Sequence, residues 1–322
     1  MRYGTGVILV VIAATLWSAM GLAIRQIAVA GTWEVLFWRS VGMVPVLLAF
    51  IAWNSGGQVF VRLRRVGWAG VAGGLGLVFA FAGAIHAIQS TTVANAVFLF
   101  SAAPFFTAIL GWMILGERVR PVTWAAIALA GVGMFIMVRE GLAVGALAGN
   151  AAAILSALGF SAFTITLRWG RAGDMMPAVV LGGLFAMAVA AGMLALQGGT
   201  LWVPLPDAAI AIGMGAVQLA VGMALYTLGS RVIPAAELTI LALIEVLLAP
   251  IWVWLFLGET ASVATFVGGA VLLAAVVFNA LAGGRGKTGR RAQESGDVMA
   301  QAAQPPLTGT RAADEPLHNV KS

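Results

Sequence analysis

The chain has 322 residues, of which 61% are hydrophobic and only 9% charged, with 41 glycines, 11 tryptophans and no cysteine. A soluble domain carries charge on roughly a quarter of its residues, so this composition excludes an ordinary soluble protein and indicates an integral membrane one. The net charge of +6 is spread over short loops and one tail and forms no nucleic-acid face. The absent cysteines exclude disulfides and thiolate metal sites.

Ten apolar runs follow one another, each long enough to cross a hydrocarbon layer of roughly 30 Å at about 1.5 Å per residue. They fall near 5–28, 33–53, 66–88, 91–115, 122–138, 145–167, 176–196, 207–229, 234–257 and 262–282. Barrel strands would be shorter and alternating, so the expected fold is an all-α membrane protein with ten transmembrane helices. The first run, MRYGTGVILVVIAATLWSAMG, has the form of a secretory signal. An internal repeat pairs it with a later helix, so it is expected to be retained. The second run carries Arg39, two turns in. The third opens with GWAGVAGGLG, where Gly70 and Gly74 have the small-xxx-small spacing of closely packed helices. The ninth, PAAELTILALIEVLLAPIWVWLFLGE, holds Glu245 near its middle and Pro250 beyond it. After residue 282 the composition turns polar, and 283–322 reads as a disordered tail.

With the N-terminus in the cytoplasm, Arg2, Arg62, Arg64, Arg65, Arg118, Arg120, Arg168, Arg171 and Arg231 fall on the cytoplasmic side, together with the tail cluster from Arg285 to Arg291. Arg25, Arg39 and Arg139 lie toward the other side. This obeys the positive-inside rule and places both termini in the cytoplasm. A shift of 142 residues lays VANAVFLFSAAPFFTAILGWMILGER over AAELTILALIEVLLAPIWVWLFLGET, so that Trp112 meets Trp254 and Gly116-Glu117 meets Gly258-Glu259. The expected organisation is a five-helix repeat over 1–140 and a second over 141–282. Five is odd, so the second repeat enters the membrane inverted, the arrangement of alternating-access transporters.

The chain resembles the ten-helix EamA-type branch of the drug/metabolite transporter superfamily. The resemblance rests on ATLWS in the first run, FWRS in the second, TVANAVFLFSAAPFFTAILGWMILGE in the fourth, the ninth run quoted above and GGAVLLAAV in the tenth. It implies ion-motive or facilitated carriage of small metabolites, often export of amino acids or related compounds. One departure is that helix 9 often carries adjacent Glu-Pro in such proteins, whereas Val246 follows Glu245 here and the proline stands at 250.

A carboxylate halfway through a membrane span costs at least about 2.5 kcal/mol if charged, so Glu245 must face a wet cavity, find a partner or hold a proton. The repeat sets Ala103 opposite it, so it is not a scaffold residue present in both halves. It is either a proton- or amine-binding site or a neutral group packed between helices. Arg39 either binds a substrate carboxylate or reaches the headgroups or Glu34. Trp17, beside Ser18, either walls a substrate pocket or faces lipid. Asn95 and Glu237 hold matched positions at helix starts, where Glu237 fits an N-terminal helix dipole. His86, Gln89, Gln218 and Tyr226 are polar groups that bind either substrate or neighbouring helices. The candidate substrate-binding set is Trp17, Arg39, Asn95, Tyr226 and Glu245, with Glu245 also coupling protons. Glu117 and Glu259, which end equivalent helices, are expected to be structural, pairing with nearby loop arginines or gating the two ends.

GKT at 286–288 lacks the upstream glycine of a phosphate loop, and GFSAF at 159–163 lacks the last glycine of a nucleophile elbow. With two histidines there is no expected metal, cofactor or catalytic site. The function that fits is secondary transport of a small organic metabolite across the cytoplasmic membrane by a monomer or homodimer, as proton-coupled export. The alternatives are an uptake carrier for a metabolite or vitamin and, from a different class, an intramembrane enzyme or sensor.

Overall fold

The computed structural model describes residues 2–143, 146–170, 176–233, 235–279 and 281. The expected tail at 283–322, Arg171 and the Glu237 side chain lie outside the described residues. Among those described, eight helices are long and apolar enough to cross a membrane. They are α1 (Tyr3–Arg25), α2 (Thr32–Ser55), α3 (Gly67–Ser90), α4 (Val93–Leu115), α5 (Pro121–Ala143), α6 (Leu147–Trp169), α7 (Met176–Leu196) and α8 (Leu205–Ser230). Two more apolar helices, α9 (Ala235–Leu257) and α10 (Val263–Asn279), follow. The protein is thus all-α and membrane-spanning, as its composition requires. A short helix, Val59–Arg65, joins α2 to α3 and carries Arg62, Arg64 and Arg65.

Three of the helices are irregular, and none of the irregularities is at Pro250, which lies inside the continuous α9. Helix α1 breaks at Ala19 into Tyr3–Ser18 and Met20–Arg25. Helix α4 breaks at Ser101–Ala102, just before Pro104. The ring of Pro104 cannot accept the preceding turn without a clash, which accounts for the second break. Helix α8 widens to π geometry over Met214–Val221.

Small residues let the helix backbones approach. A Cβ on Gly76 would meet the Gly159 carbonyl oxygen at 3.0 Å, and one on Gly83 would meet the Ala152 oxygen at 2.7 Å, so α3 and α6 pack nearly backbone to backbone. Gly74 serves the other face of α3, where a Cβ would lie 3.1 Å from the Gly182 nitrogen on α7. In lipid, where apolar burial brings no water release, this close packing is what holds helices together. The exterior is covered by large apolar side chains, with Trp53, Trp68, Trp169 and Trp202 exposed near helix ends, suited to a headgroup belt.

Two bonds fix how α1 and α9 sit. Trp252 Nε1 donates to Ser18 Oγ at 2.8 Å, and Arg25 Nε donates to Glu259 Oε2 at 2.8 Å; both join positions 234 apart. The helices therefore run side by side in the same direction. Glu245 and Trp252 are seven residues, two helical turns, apart and so share the stripe of α9 that faces α1.

Candidate functional site

Helix α1 is the spine of the site. By the constant offset to α9, Glu245 is level with Val11, two turns from the Ser18–Trp252 bond. Helix α8 runs the other way along α1: Gln218 Nε2 donates to the Leu16 carbonyl at 2.9 Å, and a Cβ on Gly229 would meet the Gly6 oxygen at 2.7 Å. This register brings Tyr226 within about one turn of the Glu245 level. The Trp17 ring leans back along its helix and lies 5.3 Å from the Tyr226 ring, tilted by 41°. It rests against Gly222, where an added Cβ would come within 2.4 Å of Trp17 Nε1. Trp17 and Tyr226 thus meet beside α1, and the register sets Glu245 at about the same level of that helix. Trp17 Nε1 is buried without a hydrogen-bond partner, and Glu245 is half-buried with no hydrogen bond or ion pair to any described residue.

Arg39 stands on the opposite side of the α1 break. It is 3% exposed, which rules out a reach to the surface, and it does not pair with Glu34. Its Nη1 lies 3.7 Å from Met20 Sδ, its guanidinium carbon lies 4.6 Å from the centre of the Phe81 ring, and its Nη2 has no partner. The backbone around it is fixed by two glycines: a Cβ on Gly215 would fall 1.8 Å from the Arg39 carbonyl oxygen, and one on Gly42 2.1 Å from the Ile212 oxygen. Gly215 belongs to the π segment of α8, a geometry often found at functional sites. Taking Met20 as its level, Arg39 is separated from Glu245 by nine residues of α1, roughly 13 Å.

Asn95 is placed elsewhere. Its Nδ2 donates to the Asn150 side-chain oxygen and to Thr91 Oγ1, 3.2 Å away, tying the start of α4 to α6. Asn95 Oδ1 and Asn150 Nδ2 are left without partners. His86, Thr32, Gln89 and Ser90 form a network at the start of α2, in which Thr32 donates to Gln89 Oε1 at 2.9 Å and Gln89 donates to the Ala30 carbonyl at 3.1 Å.

Each end of the bundle carries an ion pair. At the Arg25 end, Glu259 also accepts the Val93 amide at 2.7 Å, and Arg25 Nη2 donates to the Thr91 carbonyl at 2.7 Å. At the Arg168 end, Arg168 Nη2 lies 2.7 Å from Glu117 Oε1. Glu117 and Glu259 are the residues superposed by the 142-residue shift, and each binds an arginine at the end of the first helix of the other repeat. Asp207, at the start of α8, accepts the amides of Ala28, Val29 and Ala30 at 3.2, 2.8 and 2.9 Å and so holds the α1–α2 turn. Nothing in the sequence around Asp207 marks that role, because its three donors lie nearly 180 residues away.

The described residues thus form a multi-pass helical membrane protein with unpaired polar groups buried among its helices. The chain belongs to the EamA-like transporter family, which matches it twice, over residues 4–139 and 147–281; it is a membrane transporter of the drug/metabolite transporter superfamily. An uncharacterized transporter of Archaeoglobus fulgidus is 32% identical over 201 residues, covering 60% of this chain and 69% of that protein. A protein crystal structure sharing 18% identity superposes with a TM-score of 0.59 over 88% of this chain and 99% of the other, a likeness of fold.

Proposed function

We propose that the protein exports a small organic metabolite across the cytoplasmic membrane by alternating access, driven by protons that load and leave Glu245. The observation that carries this reading is Glu245 itself: a carboxylate in mid-span, on the α1-facing stripe of α9, partly buried and bonded to no described residue. A structural carboxylate at that depth takes a hydrogen-bond partner, because an unmatched polar group in the membrane is costly. One that exchanges protons stays unpartnered and reachable.

The double match of the family supports two inverted halves over 1–140 and 141–282, and the arginine distribution supports cytoplasmic termini. The ion pairs at the two ends serve as alternating closures. The test is accumulation of a labelled amino-acid and organic-acid panel in inside-out vesicles, with and without an imposed pH gradient, for the wild type and Glu245→Gln. Loss of gradient-driven accumulation with retained exchange identifies Glu245 as the coupling group. Equal driven accumulation by both proteins refutes that role.

A further inference from the structure

Arg39 is an intramembrane charge with no counter-charge among the described residues. Its guanidinium does not lose its proton in proteins, so it cannot shed the charge on burial as a carboxylic acid can. A buried arginine that serves only the fold is paired with a carboxylate, since an uncompensated buried charge destabilises the protein. Among the described residues, every candidate partner nearby is otherwise engaged or out of reach. Asp207 is filled by the Ala28, Val29 and Ala30 amides, and Glu259 by Arg25 and the Val93 amide. Glu34 precedes Arg39 by five residues on the same helix and does not bond to it, and Glu245 lies roughly 13 Å along α1. The groups that do touch the guanidinium, a thioether and a phenyl ring, are uncharged and leave Nη2 open.

A second unsatisfied donor, Trp17 Nε1, is buried one to two turns along the same spine. Indole nitrogen donates and never accepts. These two orphaned donors beside α1 call for an acceptor from a ligand, and the unpartnered Glu245 carboxylate, roughly 13 Å from Arg39 along α1, does not supply it. We infer that the transported substrate is an organic anion, and that Arg39 is the specificity-determining residue that receives its carboxylate or equivalent oxyanion, with Trp17 as a second donor. The planar fork of arginine suits a carboxylate, while Met20 and Phe81 border it with apolar surface for the body of the ligand. A ligand that offered only an ammonium or quaternary cation would meet repulsion at Arg39. The inference rests on the transporter reading above and names its substrate class.

The experiment measures binding by the full chain in lipid nanodiscs as a shift in thermal unfolding. The probes are 3-phenylpropanoate, 4-methylpentanoate and succinate, each beside its matching amide and amine. The proteins are the wild type, Arg39→Lys and Arg39→Met. Carboxylates are expected to raise the melting temperature of the wild type, while the amides and amines leave it unchanged. Arg39→Lys keeps the charge without the fork and should weaken the apparent affinity at least tenfold. Arg39→Met should melt above the unliganded wild type, because an unpaired charge has been removed, and should show no carboxylate shift. The inference is overturned if no carboxylate stabilises the wild type, if amines do so better, if Arg39→Met keeps the shift, or if Arg39→Met lowers the unliganded melting temperature. No ion gradient is involved, so carboxylate binding by a protein that shows no proton-driven transport would remove the coupling role of Glu245 and leave the anion assignment standing.

Discussion

Replacing Glu259 by glutamine tests whether the Arg25 end is a closure. Its carboxylate binds Arg25 within the α1–α9 couple and the Val93 amide at the start of α4, while Arg25 reaches the Thr91 carbonyl. The cluster therefore fastens that couple to the α3–α4 turn. Hydrogen bonds to a charged group are worth about 1.5–3 kcal/mol, and fully exposed ion pairs about 0–1. The Arg25 and Glu259 side chains are 26% and 19% exposed, so a loss of about 1–2 kcal/mol is expected, since the amide keeps one neutral acceptor. That amounts to roughly a 5–30-fold increase in the open population. The chain has no cysteine, so Ala94→Cys gives a single reporter; Ala94 is 3% exposed and lines a cavity of about 290 Å³ with Pro250, Trp254 and Glu259. Its labelling by a membrane-impermeant maleimide should accelerate by that factor in Glu259→Gln. The equivalent Glu117→Gln change removes a pair that is 48% and 39% exposed and should act at the Arg168 end by no more than about fivefold. If labelling of Ala94→Cys is unchanged within twofold in Glu259→Gln and also in Arg25→Gln, the pair holds nothing closed and the reasoning fails.

The other predictions concern the scaffold of the site. Gly215→Ala places a methyl 1.8 Å from the Arg39 carbonyl oxygen, whereas Gly213→Ala meets nothing within 4 Å. The first should destabilise the protein by about 1–3 kcal/mol or more and the second should be close to neutral, as read by thermal unfolding in detergent; similar melting temperatures would contradict the α2–α8 packing. Asp207→Asn replaces a charged acceptor of three amides by a neutral one, with an expected loss of about 1–3 kcal/mol. Hydrogen exchange at Ala28, Val29 and Ala30 should accelerate while exchange within α3 does not, and unaltered exchange in the α1–α2 turn would refute its anchoring role.

The helices were legible because lipid leaves little choice: runs of apolar residues of the right length must form closed backbone hydrogen bonds within themselves. Glu245 was legible for the same reason, as a charge where charge is costly. What escaped sequence reasoning depends on meetings between distant segments. Glu34 looks like the partner of Arg39, yet Arg39 binds no carboxylate among the described residues, and the arginine that binds Glu259 lies 234 positions away rather than in a nearby loop. Met20 and Phe81 carry no polar signal and matter only because two other helices bring them to Arg39. The π segment at Met214–Val221 has no proline to announce it, whereas the α4 break is marked by Pro104. Asn95 shared its position with Glu237 in the repeat, but its bond to Asn150 comes from a helix that the comparison of repeats did not pair with it.

The partnership of α1 with α9, and of α4 with α6, bears on how the protein is assembled. Each five-helix stretch places its first helix against the fourth helix of the other, as two hands interlock their fingers. During synthesis α1 enters the membrane early, yet the residues that bind Ser18 and Arg25 emerge only after some 230 more have been made. Until then α1 waits in lipid with its polar edge unmatched. A chain divided between α5 and α6 should therefore yield two pieces that become stable only when made together, and a chain stopped before α9 should release α1 to the cell's quality control.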